Sequence, residues 1–318
     1  MGAYQLKPVV LIEEVLRYLT KEETVCSLAI ERIEVELKDL EKGEAPTDRK
    51  VLQALNYLRT AEEVYRLAYQ GFKTGIEIID EPLILWAYQK LWEGFGIRAE
   101  YRKTPMQILG AIFEPPPPEA VPFLMKTLVD WLKRERDRLP PIRRATVFHL
   151  LFEVIHPFED GNGRLGRILM NAVLIEGGFI NVAFRNREEY ISALKKAEQG
   201  AVVVVDALSR GRKLSTEDIT RTVEHYSDLE PFENLIRKEI LQSLKSYGRK
   251  LKIYLSPKEV SQLLGYKNPD YVRVLISRRK LFGEKTPQGW RIPLSEVIRF
   301  AEEKLPPERI LEAIKKED

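Results

Sequence analysis

Twelve consecutive residues, His156 to Arg167, bring together side chains that seldom occur so close in one sequence. One imidazole, two carboxylates, three glycines, one asparagine and two arginines fall within this stretch. Gly161 and Gly163 can adopt positive φ angles and bring their amides close to a ligand, so a Gly-Asn-Gly turn that opens a helix makes an anion cradle. The N-terminus of the helix adds partial positive charge. A polyphosphate is the ligand that this pattern favours.

The charged side chains around the turn suit a reaction on such a ligand. Arg164 and Arg167 are three residues apart, so they lie on one helix face and both can fork onto phosphate oxygens. Asp160 precedes the cradle, where its carboxylate would repel phosphate unless a divalent cation lay between them. Mg²⁺ fits there, because it takes only one or two protein carboxylates and completes its shell with phosphate oxygens and water. His156 is placed to accept a proton from an attacking hydroxyl group.

Two apolar helical segments must position this turn, one on each side of it. Apolar residues recur in both at the spacing of a buried helix. A purely structural corner would need the glycines but would not need His, Asp, Asn and two Arg together, so we favour the catalytic interpretation. The apolar positions are Val147, Leu150, Leu151, Val154 and Ile155 before the turn, and Ile168, Leu169, Ala172, Val173 and Ile175 after it.

The twelve residues resemble the signature of the Fic family, His-x-Phe-x-Asp/Glu-Gly-Asn-Gly-Arg-x-x-Arg, at every defined position. The resemblance implies that His156 is the general base, that Phe158 anchors the loop in the core and that Asp160 holds Mg²⁺. It implies that Arg167 binds the γ-phosphate of ATP, which leaves the α-phosphorus open to in-line attack. Glu159 occupies a variable position and receives no role. The implied nucleotide-binding residues of the signature are Gly161, Asn162, Gly163, Arg164, Leu165, Gly166 and Arg167.

The resemblance extends over roughly residues 27–211. Residues 108–118, which end in four prolines, resemble the family's flap, a short β-hairpin that registers the target backbone by strand addition. Tyr190, in a segment that resembles the one near the nucleotide base, is expected to contact adenine, with packing in the core as the alternative.

A second family element lies near the N-terminus of the chain. Ser27 to Arg32 resembles the inhibitory motif Ser/Thr-x-x-x-Glu-Gly/Asn, whose glutamate pairs with the second arginine of the signature. The resemblance implies that Glu31 holds Arg167 away from the γ-phosphate, with residues 27–37 forming a helix. Arg32 departs from the small residue expected at the last position and could draw the carboxylate away. The alternative for Glu31 is a solvated helix glutamate.

The C-terminal segment, 251–318, resembles the winged helix-turn-helix modules of excisionase-like proteins. We predict helices from Ser256 to Leu264, from Asp270 to Arg279 and from Leu294 to Lys304, with a hairpin between the second and the third. DNA binding through Arg273, Arg278 and Lys280 and contact with a protein are both open for this module.

We therefore predict a mainly α fold, in which a Fic helical core with a short β-hairpin flap precedes the winged module. Residues 1–75 form an N-terminal helical region with the inhibitory helix, 76–212 the catalytic core and 213–250 connecting helices. The four-proline run that ends at Pro118 must be extended, and 201–205 is predicted to be helical despite its valines.

The composition limits the kinds of covalent link, metal site and cellular location that we expect for the protein. The single cysteine, Cys26, excludes an intrachain disulfide and a cysteine metal cluster and favours a reducing, cytoplasmic location. We expect no signal peptide and no membrane span. The net charge of +3 is too small to argue for nucleic acid over the whole chain.

The resemblance to the Fic family implies an autoinhibited protein adenylyltransferase that transfers AMP from Mg-ATP to a Ser, Thr or Tyr hydroxyl of a target protein. ATP and Mg²⁺ are the expected cofactors. Removal of AMP by the same scaffold, and a nucleotide-sensing regulator that binds DNA, are the alternatives, and a homodimer is left open.

Overall fold

The computed structural model of the chain describes residues 8–40, 48–108, 111–250, 252–301 and 307. It is mainly α-helical with one small antiparallel sheet, as predicted. The helices are α1 (Pro8–Ile30), α2 (Arg49–Thr74), α3 (Glu81–Leu91), α4 (Val121–Arg134), α5 (Pro141–Ile155), α6 (Asn162–Glu176), α7 (Arg187–Ala197), α8 (Gln199–Ser209), α9 (Thr216–Tyr226), α10 (Glu230–Lys250), α11 (Pro257–Leu264), α12 (Asp270–Ser277) and α13 (Leu294–Ala301). The strands are β1 (Tyr254–Leu255), β2 (Glu284–Thr286) and β3 (Gly289–Pro293).

The contacts divide the chain into two compact units, one of residues Thr20–Ile236 and one of Met1–Leu19 with Arg237–Asp318. The first unit contains the signature residues. Its central helices α5 and α6 are buried along nearly their whole length, because both carry apolar side chains on all faces. The predicted division into four regions stays a prediction.

The ends of α2 follow the chemistry of its capping residues. Asp48 precedes the helix in an extended conformation, and its side chain accepts a hydrogen bond from the Lys50 amide. Gly75 ends the helix with a φ angle of +73°, which a glycine adopts without strain. Residues 201–205 lie within α8, so the prediction of a helix there is confirmed.

Two segments near the site differ from the predictions. Helix α1 ends at Ile30 and does not continue to Leu37, because Arg32 has a φ angle of +60° that breaks the helix. In the predicted flap, the described residues 108 and 111–117 form no strand, so the expected β-hairpin is not seen among them. Prolines lack the amide donors that a strand pairing needs. Leu109 and Gly110 lie outside the described residues.

The second unit contains the module that resembles a winged helix-turn-helix. Ser256 and Glu259 form a capping box at the start of α11, as their spacing predicted. Helix α12 is two residues shorter than predicted, since Arg279 has a φ angle of +56°. Strands β2 and β3 form the predicted hairpin, and β1 pairs with the other edge of β3.

In the part of the chain that the structure describes, no helix is long and apolar enough to cross a membrane.

Candidate active site

The general-base candidate, His156, caps the C-terminus of α5. Its backbone is left-handed, with a φ angle of +49°, which is uncommon for a residue other than glycine. The Nδ1 atom lies 3.2 Å from the main-chain oxygen of Glu153. A proton on Nδ1 satisfies that carbonyl and leaves Nε2 unprotonated, so Nε2 is the atom that can accept a proton.

The environment of His156 keeps its imidazole neutral. Burial lowers the pKa of His156 to about 4, and the positive charge of Arg102 acts in the same direction. Above that pH the ring carries no charge, which is the protonation state that a general base requires.

The loop between α5 and α6 is held from inside by Asn162 and Phe158. The Asn162 side chain accepts from the Phe158 amide at 2.9 Å and donates to the Phe158 carbonyl at 2.7 Å. Phe158 is fully buried and stacks on Tyr88, with ring centroids 3.8 Å apart. The Asn162 amide group is therefore used within the loop, so only the main chain of Asn162 can face a phosphate.

The N-terminus of α6 is the predicted site for an anion. Gly161 precedes the helix with a φ angle of +81°, and no side chain from the described residues caps it. The first helical amides have no carbonyl partners of their own in the helix. With the partial positive charge of the helix N-terminus, they are the amides that the glycine pattern predicted to bind an anion, and this binding stays a prediction.

Arg164 and Asp160 flank this cradle. The Arg164 guanidinium lies over the Trp92 ring at 4.6 Å from its centroid, and its Nε atom is buried without a partner among the described residues. It also lies 3.3 Å from an oxygen of Asp160. The Asp160 side chain is 69% exposed, so its carboxylate faces solvent beside the open amides.

Three predicted nucleotide-binding residues lie where their side chains cannot contact a ligand directly. Leu165 and Tyr190 are buried in the core, and the Tyr190 hydroxyl lies 2.7 Å from Nε2 of His149. A Cβ atom on Gly166 would collide with Glu153 and Phe152 of α5, so this glycine allows two helices to pack closely. Tyr190 was expected to contact adenine, with packing in the core as the alternative, and its observed position is in the core.

Arg167 is bound by the end of α1. Its Nε donates to Ser27 Oγ at 2.7 Å, and its Nη2 donates to the Ser27 carbonyl at 3.0 Å and to Glu31 Oε1 at 2.7 Å. A Cβ atom on Gly163 would lie 2.5 Å from Glu31 Oε1, so this glycine leaves room for the glutamate. Ser27 and Glu31 therefore lie against α6 as the resemblance to the inhibitory motif implied.

Glu31 and Arg167 each stabilise the charged form of the other. Burial raises the pKa of Glu31, but the nearby Arg167 outweighs it and lowers the pKa overall. For Arg167 burial lowers the pKa, but Glu31 raises it above its ordinary value. Both groups are ionised at neutral pH, and the Glu31 side chain remains 37% exposed, so a ligand from solvent can compete for the arginine.

Arg32 does not disturb the ion pair between Glu31 and Arg167. The Arg32 amide donates to the Ala29 carbonyl at 3.0 Å and the Ile33 amide donates to the Leu28 carbonyl at 2.9 Å, which together form a Schellman motif. Arg32 occupies the left-handed position of that motif, where a glycine or asparagine is usual. Its side chain is exposed. The motif thus turns the chain immediately after Glu31, even without the expected small residue.

Two buried residues beside the site were not predicted. Arg102 is 2% exposed and donates to the main-chain oxygens of His156 (2.9 Å), Thr104 (3.2 Å) and Pro116 (2.5 Å), which ties the flap to the catalytic loop. Glu23, one and two turns before Ser27 and Glu31, accepts hydrogen bonds from Tyr57 and Tyr65. Neither residue belongs to a local motif, so no signal in the sequence marks them.

In the described ranges no group of three or more His, Cys, Asp or Glu side chains could hold a metal ion. The single exposed carboxylate of Asp160, beside open amides and Arg164, suits Mg²⁺ that arrives with a polyphosphate, because such an ion needs only one or two carboxylates from the protein.

Comparisons with known proteins find one family model and several similar chains. The model of the Fic/DOC family matches residues 78–174. A probable protein adenylyltransferase of Aquifex aeolicus is 54% identical over 303 residues, which cover 95% of this chain and 93% of that protein. A protein adenylyltransferase Fic of Nematostella vectensis is 38% identical over 105 residues, 32% of this chain and 24% of that protein. The crystal structure of a Fic-domain signaling protein from Bacteroides thetaiotaomicron has a TM-score of 0.58 and 25% identity, and covers 75% of this chain and 89% of that one.

Proposed function

This chain belongs to the Fic/DOC family, and from that membership we propose that it is a protein adenylyltransferase, which transfers AMP from Mg-ATP to a hydroxyl group of a target protein. The observation that carries the proposal is the pairing of a neutral His156 with an uncapped α6 N-terminus and two arginines. The alternatives of AMP removal and of a pure nucleotide sensor are not favoured, because the similar proteins carry the transferase name.

The proposed reaction assigns a role to each group at the site. The target hydroxyl oxygen forms a bond to the α-phosphorus of ATP, the bond from that phosphorus to the bridging α–β oxygen breaks, and pyrophosphate leaves. The hydroxyl proton moves to Nε2 of His156. The main-chain amides at the start of α6 and Arg164 bind the phosphates, and Arg167 binds the γ-phosphate. Asp160 holds Mg²⁺, which neutralises phosphate charge when bound.

We further propose that the contact between Glu31 and Arg167 keeps the enzyme weakly active. Arg167 can form its paired hydrogen bonds with a carboxylate or with a γ-phosphate, and it cannot satisfy both. With the arginine held by Glu31 and Ser27, ATP binds with its α-phosphorus out of line. A small displacement of the reacting atom is enough to slow the reaction strongly.

A test of the function needs only the purified chain. We expect incubation with Mg²⁺ and ATP labelled at the α-phosphate to transfer label to protein, either the chain itself or a protein in a lysate, whereas ATP labelled at the γ-phosphate transfers none. Mass spectrometry should find the mass of AMP on a Ser, Thr or Tyr residue. Transfer of the γ label, or no transfer even after replacement of Glu31, would contradict the proposal.

A second proposal concerns the module of residues 252–301, which we infer binds DNA. It contains ten Lys or Arg against four Asp or Glu. Arg278, Arg279 and Lys280 follow α12 and are exposed, while Arg273 is paired with Asp270. Exposed Tyr271 and Val274 lie on the same helix. A basic segment directly after the second helix of a helix-turn-helix can contact phosphates when that helix enters the major groove.

A further inference from the structure

Two carboxylates lie against two glycines on one face of α6. A Cβ atom on Gly163 would meet Glu31, and a Cβ atom on Gly166 would meet Glu153. The two glycines are three residues apart, so their positions are neighbours on the helix surface. The Arg167 side chain runs beside Gly163, because its Nη1 atom would lie 3.1 Å from a Cβ atom placed on that glycine. Glu153 therefore lies against the same part of α6 as Glu31, where the charge of Arg167 acts on it.

Glu153 lacks a partner for a buried oxygen. Its Oε1 atom is buried without a hydrogen bond to any described residue and lies 3.9 Å from Nδ1 of His149. The Tyr190 hydroxyl lies 2.7 Å from the other ring nitrogen, Nε2 of His149, so that histidine is hydrogen-bonded to Tyr190 and not to Glu153. A carboxylate ion with so little hydrogen bonding would be costly to bury.

The charged and titratable groups around Glu153 determine whether its side chain is protonated. They are His149 and His156 on its own helix, Arg167 on α6, Glu31 on α1 and Tyr190 on α7. Burial raises the pKa of Glu153 to about 8; Arg167 opposes this, and the charge of Glu31 adds to it. Burial lowers the pKa of His149 to about 3, so that histidine supplies no positive charge. Glu31 is the carboxylate that forms an ion pair with Arg167.

We propose that Glu153 is a positioning residue that remains a neutral carboxylic acid when Mg-ATP is bound, so that it adds no negative charge beside Arg167 and the incoming phosphates. This inference rests on the proposed function. An ionised Glu153 would place an unpaired negative charge next to the incoming phosphate, which repels it. Binding of Mg-ATP above about pH 8 must therefore take a proton from solution, because the nucleotide favours the protonated acid.

Calorimetry of Mg-ATP binding can count this proton. Titrations at about pH 8.5, in two buffers of different ionisation enthalpy, should show uptake of more than about half a proton per nucleotide in the wild type. Glu153→Gln should bind Mg-ATP with almost no uptake, since the amide cannot titrate. Glu176→Gln is the matched control, because Glu176 is a buried glutamate at the other end of α6, and it should retain the wild-type uptake.

The outcomes separate the two proposals. Binding without proton uptake in the wild type, or equal uptake in wild type and Glu153→Gln, would overturn the role of Glu153 and leave the proposed function intact. If Mg-ATP does not bind to the wild type, both proposals fail. Should Glu153→Gln not fold, as judged by circular dichroism, Glu153→Met takes its place with the same expected loss of uptake.

Discussion

At the scale of single residues, the site depends on side chains that hold main-chain atoms. Asn162 uses both ends of its amide on the Phe158 backbone, and Arg102 donates to the carbonyls of His156 and Pro116. These contacts fix a loop whose backbone is left-handed at His156 and Gly161. The imidazole and the open amides of α6 are thus held in place before any nucleotide binds.

Replacement of the base tests the role of one side chain. We expect His156→Ala to reduce AMP transfer by about 10²-fold or more, which is the usual worth of a general base. Affinity for Mg-ATP should change little, because the imidazole meets the target hydroxyl and not the phosphates. Transfer rates and nucleotide dissociation constants would be measured together. Loss of nucleotide binding, or transfer at the wild-type rate, would remove His156 from this role.

At the scale of helices and loops, the end of α1 is the regulatory element. Its Schellman motif places Glu31 at the last turn and Arg32 at the left-handed position. A left-handed residue other than glycine costs about 1–2 kcal/mol. The inhibitory contact is thus formed by a helix end that is less stable than the usual sequence would make it.

Relief of that strain should strengthen the inhibition. We expect Arg32→Gly to lower the basal rate of AMP transfer and Arg32→Ala to leave it nearly unchanged, because alanine removes the guanidinium group but keeps the backbone strain. Initial rates at saturating Mg-ATP give the comparison. Equal effects of the two substitutions would mean that the charge of Arg32, and not its φ angle, influences Glu31.

The helix α12 and the residues that follow it carry the proposed DNA surface. Binding to DNA should weaken steeply with added salt, and Arg278→Gln should reduce the slope of log K against log salt by about one unit. Arg273→Gln is the control, since Arg273 is already paired with Asp270, and should reduce the slope less. Fluorescence anisotropy with a labelled duplex measures both. Salt-independent binding, or no binding at low salt, would contradict DNA recognition by this module.

At the scale of the catalytic unit, α1 is a core element and not a removable arm. Within that unit Thr24, Ser27 and Leu28 of α1 are buried, and the buried Glu23 accepts hydrogen bonds from Tyr57 and Tyr65 of α2. The Glu31 side chain can therefore leave Arg167 without movement of the helix, because it is partly exposed at the end of α1.

The anchoring of α1 should depend on pH. Burial raises the pKa of Glu23 to about 7, although the hydrogen bonds from Tyr57 and Tyr65 lower it in part. A raised folded-state pKa gives stability that is complete below the ordinary value of about 4.5 and is lost as pH rises to about 7, at up to about 1.4 kcal/mol per pH unit. The difference in unfolding free energy between wild type and Glu23→Gln should fall accordingly over that range. Glu63→Gln is the control, because Glu63 is exposed. If the difference in unfolding free energy between wild type and Glu23→Gln did not change with pH, the raised pKa of Glu23 would be contradicted.

The sequence was sufficient for the groups that form a contiguous motif. The turn between two buried helices, the caps at Asp48 and Ser256 and the pair of Glu31 with Arg167 all follow from local spacing or from the resemblance. Arg102 and Glu153 could not be predicted, because their partners come from segments that meet only in the folded chain. The early end of α1 was missed because an arginine occupies a position where glycine would have marked it.

The central claim is that Glu31 limits AMP transfer by occupying Arg167. The most direct measurement compares initial rates of transfer by wild type, Glu31→Gly and the double variant Glu31→Gly with His156→Ala, at saturating Mg-ATP. We predict that Glu31→Gly raises the rate by up to about 10²-fold with little change in ATP affinity, as expected for a realigned reacting atom, and that the double variant is inactive. Equal rates for wild type and Glu31→Gly would contradict the account.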